Sequence, residues 1–445
     1  MDRASGEGWL TGGVSQRQDA LVGRSRELEG ETAGDVDPTP ASRTQWASPD
    51  GLELVGYGVA AAFTANGVGR LARVRDDATA YFDALDYEGP DDGRPRAIGG
   101  LSFHDEYEPS PPWDGFAGAS FVVPRVQVTR TDGGTWLTAV GTDETDVTAT
   151  LEHWRERLTR ATPVSADGPR PGVRLTQQPT SKSAWTEQIT TALERIAAGH
   201  LEKVVLAQTL EVALETDLDV AATLARLRER YPNCYRFSIE RGDDPCVFFG
   251  APPERLVSVD GTAVTTEALA GSLPRGETAA ADDALVERMR ESDRLSEEHG
   301  LVADAILERL DSLAASITVG ERDVRRLATI QHLETPIYAR LDEDRHVLEL
   351  VDALHPTPAV GGLPKPAARE TIDALERFDR GWYAAPVGWF DANGDGEFAV
   401  GIRSGLVDGR TVTLFSGNGI VADSDPADEW DEIQLKFRPI LDELR

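Results

Sequence analysis

Cys234-Tyr-Arg-Phe-Ser-Ile239, Cys246-Val-Phe-Phe-Gly250, Glu254-Arg-Leu-Val-Ser-Val259 and Thr262-Ala-Val-Thr-Thr-Glu-Ala-Leu269 are four short runs rich in apolar and β-branched residues. Such runs, bounded by Gly, Pro and Asp, predict strands that follow one another with no helix between them. Strands on short connections pair antiparallel, because a parallel partner needs a crossover of a dozen or more residues. Upstream, 203–212 predicts a strand and 218–230 a helix. Trp185, Ile189, Leu193 and Ile196 form one helical stripe over 184–198, with Gly199 placed to close it. Downstream, helices are expected at about 282–314, 345–354, 366–378 and 426–443, with strands in APVGWFD, EFAVGIRSGLV and TVTLFSG. Runs of strands punctuated by helices predict an α+β fold with large, mostly antiparallel sheets.

The amino-terminal part extends the pattern. Alternating runs over 51–140 (LELVGYGVAAAF, RAIGGLSF, ASFVVPRVQVTR, TWLTAV) read as strand, 145–160 as helix and 161–182 as a linker. Residues 1–47 are polar, with little periodicity, and read as a mobile acidic extension. The domain proper is therefore expected over 48–445, with a strand-rich part at 48–165 and the chemistry-bearing part at 181–445. Gly56-Tyr-Gly58-Val-Ala-Ala61 mimics a dinucleotide fingerprint, but the turn signal Asn66-Gly67 follows where a helix should start, so a hairpin is expected. Asp391, Asn393, Asp395 and Gly396 imitate a calcium loop whose twelfth position is Ile402 instead of Glu, which leaves a hairpin turn.

Composition bounds the partners. The 445 residues carry 45 Lys+Arg against 77 Asp+Glu, a net charge of −32, which excludes a general nucleic-acid binder. Lys182, Lys203, Lys365 and Lys436 are the only lysines; every other basic side chain is Arg. Carboxylates spread along the whole chain with almost no lysine predict a protein adapted to high salt, where screening quiets self-repulsion. No apolar run approaches the ~18 residues of a membrane span, and the start lacks signal-peptide character, so a cytoplasmic protein is expected. Cys234 and Cys246 are too few and wrongly spaced for a zinc site and read as buried thiols in adjacent strands. Any metal is therefore expected to be hard and held by oxygen.

Several residues suit chemistry. Lys203 in LEKVVLAQ (201–208) enters an apolar strand, where lost hydration would lower its pKa and fit it as a base; snorkelling from a strand end is the plainer reading. The plainer reading weakens in a chain that has discarded almost every lysine. Glu254 in FFGAPPERL (248–256) is aimed by two prolines beside Phe248 and Phe249, where a carboxyl would keep its proton; an exposed turn glutamate is the alternative. Glu298 in ESDRLSEEHG (291–300) is expected on one helix face with Glu291 and Arg294. Glu429, Glu432 and Lys436 in DEWDEIQLK (428–436) stand at i, i+3 and i+7. Two such groups meeting would hold Mg²⁺, while in so acidic a chain either alone reads as a solvated face, and spacing does not decide between them. Gly-rich ALAGSLPRG (268–276), VGGLPKP (360–366) and SGNGIVADSDP (416–426), with Arg403 in GIRSG, suit a small carboxylate substrate or are simply loops.

Taken in order, LEKVVLA, GAPPERL, ALAGSLPRG, SDRLSEEH, QHLET, HPTPAVGGLPK, RGWYAAPVGW, IRSG, SGNGIVADSDP and DEWDEIQLK closely resemble the chorismate-utilising enzymes. This family includes isochorismate synthase, salicylate synthase, the large subunit of anthranilate synthase and aminodeoxychorismate synthase. The match is dense over 181–445; upstream, GGLSFHDE and WDGF…SFVVPR look like the amino-terminal part of menaquinone-type isochorismate synthases. The resemblance implies one domain with two large sheets packed between outer helices and the active site between them. It implies Lys203 as the base that activates water and Glu254 as the acid that protonates the departing C4 hydroxyl. Glu298 and Glu432, assisted by Glu429, would hold Mg²⁺. Gly271, Ser272, Tyr383, Arg403, Gly417, Gly419 and Lys436 would bind the two carboxylates, with His332 and Thr335 lining the ring.

Ammonia-using relatives typically lack the lysine at 203 and usually carry a Leu-Leu-Glu-Ser motif that is absent here. Water is therefore the expected nucleophile, a glutaminase subunit is not expected, and a monomer is. Salicylate synthase shares the lysine and stands as the alternative product reading; anthranilate synthase and an inactive acidic scaffold stand behind it. Where an Arg often follows the serine of this motif, the chain has Leu273, from which no substrate conclusion follows.

Overall fold

The structure is a computed structural model that describes residues 21–28, 42–161, 164–240, 246–328 and 330–445. Two sheets form, each built around one pair of long strands. In the first, Lys203–Leu214 and Thr411–Ile420 pair antiparallel from Val204 opposite Ile420 to Ala213 opposite Thr411. In the second, Ala263–Pro274 and Ile330–Leu341 pair from Ala263 opposite Arg340 to Pro274 opposite Ile330, interrupted by a bulge between Ala270 and Ser272. Among the described residues the sheets have 13 and 10 strands, and every pairing is antiparallel except Leu21–Glu27 beside Leu85–Glu88. The expected α+β architecture with two large antiparallel sheets is the observed one.

The four consecutive strands within 234–274 divide between the sheets. Arg236–Glu240 pairs with Val247–Gly250 in the first, and Arg255–Asp260 pairs with Ala263–Pro274 in the second. The chain changes sheet at Ala251-Pro252-Pro253-Glu254, which places Glu254 between them. Apolar side chains from both sheets fill the space between: Trp46 of the first meets Trp389 of the second edge-on at 6.3 Å, and Trp113, from a loop, stacks on Phe415 at 5.2 Å. Cys234 and Cys246 are buried at opposite ends of the paired strands.

Several expectations need correction. The extension expected over 1–47 is in part sheet: Leu21–Glu27 and Arg43–Ala47 are strands of the first sheet, the latter completely buried, while 1–20 and 29–41 lie outside the described residues. Glu53–Tyr57 and Ala61–Ala65 are not a hairpin; the first pairs with Arg43–Ala47 and Val126–Thr131, the second with Ala119–Val123 of the other sheet. Helix Arg70–Asp83 falls inside the stretch read as strand; it buries Leu71, Val74, Ala78 and Phe82. The linker over 161–182 contains the strand Val173–Gln177. The single helix expected at 282–314 is two, Ala279–Glu291 and Asp293–Asp311, because Ser292 caps the second by accepting the Leu295 amide. Glu291 therefore does not share a helix face with Glu298. Asp391–Asp395 does form the turn between paired strands Pro386–Phe390 and Gly396–Val400.

Candidate active site

The free ends of the two long strand pairs, with helices Asp293–Asp311 and Pro426–Leu444, enclose a cleft of about 120 Å³. Lys203 opens its strand beneath the cleft, 2 % exposed, and its Nζ donates to Glu298 Oε1 at 2.8 Å. The apolar neighbours expected from the sequence are present, but so is this carboxylate, which no local pattern announced. Gly419 stands opposite: a β-carbon there would lie 2.7 Å from Lys203 Cε and 3.2 Å from Nζ, so only glycine leaves the lysine its place. Burial works against the charge of Glu298, yet the Lys203 ammonium wins and holds that carboxyl below the usual range.

Glu254 is 4 % exposed, and burial, reinforced by the charge of Glu267, pushes its carboxyl up to about 8. It therefore carries a proton at neutral pH, the form that donates. Glu267 is itself held by a two-pronged ion pair with Arg325, both bonds 2.8 Å.

Helix Pro426–Leu444 brings the acidic wall. Glu429 is buried, with Oε2 accepting from Asn418 Nδ2 at 2.9 Å; burial and the neighbouring Glu432 push it up to about 7. Lys436 Nζ reaches Glu432 Oε1 at 2.8 Å and donates to Gly417 O at 3.0 Å and Asn418 Oδ1 at 2.9 Å. Among the described residues the carboxylates do not form a ready coordination sphere, with Lys203 on Glu298 and Lys436 on Glu432. The chemistry of the donor set nonetheless fits a hard divalent cation. Three carboxylates line one cleft, and Glu429 faces Glu432 with too little positive charge between them.

The opposite wall is cationic. Arg403 sits at φ 50, a left-handed conformation costly for a residue with a side chain, and is 8 % exposed. Its Nη2 lies 3.2 Å from His332 Nε2, and its Nη1 is buried with no partner. A guanidinium only donates, so His332 Nε2 accepts and its protonated Nδ1 donates to Ser272 Oγ at 2.9 Å. Burial and the Arg403 charge keep this imidazole neutral. Arg403 is thus a buried cation with no ion pair among the described residues, an arrangement that awaits an anion. Gly271, at φ 72, makes the bulge that turns Ser272 toward the cleft. Tyr383 stacks on Phe415 at 5.3 Å, with its hydroxyl 3.0 Å from where a β-carbon on Gly417 would stand.

Of the residues singled out by sequence, Glu254, Gly271, Ser272, Glu298, His332, Tyr383, Arg403, Gly417, Gly419, Glu429, Glu432 and Lys436 line this one cleft. Lys203 enters through Glu298 and Gly419. Thr335 stands behind the lining, with its hydroxyl 2.8 Å from His299 Nε2. Supporting residues were missed. Asn418 bridges Glu429 and Lys436, and its place between two glycines was a visible signal. Arg380, 2 % exposed, pairs with Glu376 and donates to Val205 O at 2.7 Å, fixing the strand next to Lys203. Nothing in the sequence pattern links those positions.

Comparison with known proteins identifies relatives over most of the chain. Residues 34–445 match the family model described as chorismate binding enzyme. The chain is 35% identical over 354 residues to isochorismate synthase MenF of Bacillus subtilis, an alignment covering 79% of this chain and 74% of that protein. It is 34% identical over 406 residues to the salicylate biosynthesis isochorismate synthase of Pseudomonas aeruginosa, covering 90% and 84%. The solved structure of MenF, the menaquinone-specific isochorismate synthase from Escherichia coli, superposes with a TM-score of 0.79 at 26% identity, over 96% of this chain and 94% of that one.

Proposed function

The chain belongs to the chorismate-binding enzyme family, and on that premise we propose that it is an isochorismate synthase. The reaction adds water to C2 of the ring, shifts the ring double bonds and releases the C4 hydroxyl as water, so chorismate and isochorismate interconvert with no net gain or loss of atoms. Lys203, as the neutral amine, takes the proton from the attacking water. Glu254 gives its proton to the departing C4 oxygen. Arg403 and Lys436 receive the substrate carboxylates, with Ser272 oriented by His332. Glu298, Glu429 and Glu432 would hold Mg²⁺, which when bound supplies positive charge to grip a substrate carboxylate and polarise the ring.

The observation that carries this reading is a lysine and a protonated glutamic acid, Lys203 and Glu254, coupled electrostatically at one cleft. A base and an acid with separated roles are what hydroxyl transfer requires. The names of the relatives support supply of menaquinone synthesis as the role, and the acidic, lysine-poor surface supports work in a saline cytoplasm. Among the described residues no helix is long and apolar enough to cross a membrane. We read the enzyme as a monomer that needs no glutaminase subunit, since water and not ammonia is the nucleophile. Incubation with chorismate and Mg²⁺ at high salt, followed by chromatography, should yield isochorismate. Lys203→Ala and Glu254→Gln should lose turnover while still binding chorismate. Salicylate and pyruvate as products would transfer the assignment to salicylate synthase, and full turnover in either variant would defeat the mechanism.

A further inference from the structure

Beside the strand that carries Lys203 lies a second cavity, about 150 Å³, that shares no residue with the cleft described above. Two helices begin at its wall: Arg70–Asp83 contributes Arg70 and Leu71, and Lys365–Leu375 contributes Lys365, Ala368 and Arg369. Among the described α-helices these two alone lack a side-chain N-cap, and neither has an acidic residue in its first turn. The others are capped by Asp143, Ser181, Asp219, Thr278, Ser292, His346 and Asp425. A helix start favours negative charge. In a chain with 77 acidic residues, two helix starts without a carboxylate at the same cavity leave that charge to be supplied from outside.

Arg70 is the independent observation. It is 5 % exposed, its Nη2 donates to Ser102 O at 2.9 Å, its Nε is buried with no partner, and it makes no ion pair among the described residues. Burying a guanidinium without a carboxylate is costly unless an anion arrives. The carboxylate of Asp105 is taken by Arg369 at 2.9 Å, and Asp352 is exposed at the rim. Lys365 reaches in from an exposed position and spends one donor on His355 O at 2.7 Å. His104 and His355, on the same wall, are kept neutral by burial and then by the surrounding cationic side chains.

We propose that this cavity binds one small oxyanion, a phosphate or carboxylate group, on Arg70, Lys365 and the starts of the two helices. Its wall residue Gly362 pairs with Val204, and Leu363 pairs with Lys203, so an occupant lies one strand from the catalytic lysine. The test is calorimetric titration of the full chain with inorganic phosphate and, separately, acetate. Saturable one-to-one binding of either anion is expected in Arg403→Gln, which disables the substrate cleft, and should weaken at least tenfold when Arg70→Gln or Lys365→Ala is added. Phosphate binding without acetate binding identifies a tetrahedral oxyanion, and the reverse a carboxylate. Lys365→Ala changes an exposed residue and tests the site even if Arg70→Gln does not fold. Absence of saturable binding by both anions overturns the proposal, as does binding untouched by Lys365→Ala or lost in Arg403→Gln.

Discussion

Replacing Gly419 by alanine adds one methyl group directly against Lys203, the proposed base. The new β-carbon would lie 2.7 Å from Lys203 Cε, 3.2 Å from Nζ and 3.3 Å from Glu298 Oε1. Carbon atoms rest about 3.5–4.0 Å apart, so the end of the lysine must retreat by roughly 1 Å. The atoms displaced belong to the end of a flexible side chain and the backbone at 419 is ordinary for an L-residue, so the fold absorbs the change. Catalysis does not, because a misplacement of about 1 Å costs on the order of 100-fold, equal to about 2.7 kcal/mol of barrier. Initial rates of chorismate turnover should therefore fall about 100-fold in Gly419→Ala with the thermal midpoint nearly unchanged. Gly300→Ala is the control: a β-carbon there meets nothing within 4 Å, and the site lies inside helix Asp293–Asp311. It should keep wild-type turnover and gain about 0.5–1 kcal/mol of stability. Turnover in Gly419→Ala within twofold of wild type would refute the assignment of Lys203 as the base.

Further outcomes follow from the same geometry. With Glu254 proposed as the proton donor and its carboxyl pushed up to about 8, kcat should fall as pH rises through about 8, where an ordinary glutamate would have lost its proton near 4.5. A raised folded-state pKa contributes stability that is complete below the ordinary carboxylate range and is lost as pH rises; the thermal advantage of metal-free wild type over Glu254→Gln should shrink from about pH 4.5 through about 8, and a growing advantage would contradict this. Removing the divalent cation with EDTA should abolish turnover, and Glu429→Gln should weaken Mg²⁺ binding at least tenfold by calorimetry; undiminished affinity would remove Glu429 from the metal site. Arg403→Met should raise the KM for chorismate about 10- to 100-fold, from the roughly 1.5–3 kcal/mol of a charged hydrogen bond, without lowering the thermal midpoint, since the arginine makes no ion pair among the described residues. An unchanged KM would place the substrate carboxylate elsewhere.

Local pattern carried much of the fold. Alternation found three of the four long strands, Lys203–Leu214, Ala263–Pro274 and Thr411–Ile420, and missed Ile330–Leu341, while the stripe Trp185, Ile189, Leu193 and Ile196 found a helix that runs Lys182–Ala197. Helix Arg70–Asp83 was equally legible, with Leu71, Val74, Ala78 and Phe82 at helical spacing, but the strands around it drew the reading. Ser292 was a visible cap obscured by helical pattern on both sides. The hairpin expected near Gly56–Ala61 failed for a different reason: period two shows that a segment is a strand and not which sheet it joins. That choice depends on partners as distant as Val126–Thr131 and Ala119–Val123.

The sequence by itself determined the kinds of group available: a retained lysine, a proline-aimed glutamate, acidic positions on two helices, glycines and an arginine. Those follow from residue identity and from contacts a few positions apart. Only the tertiary structure decided their states. Glu254 keeps its proton because burial and Glu267 act on it, while Arg325 holds Glu267 in place. Lys203 meets Glu298 across 95 residues of chain, and Arg403 makes no ion pair among the described residues and keeps its Nη1 buried without a partner. Charge state depends on solvent exclusion and on charges a few Å away in space, and neither is encoded at the position where the residue stands in the chain.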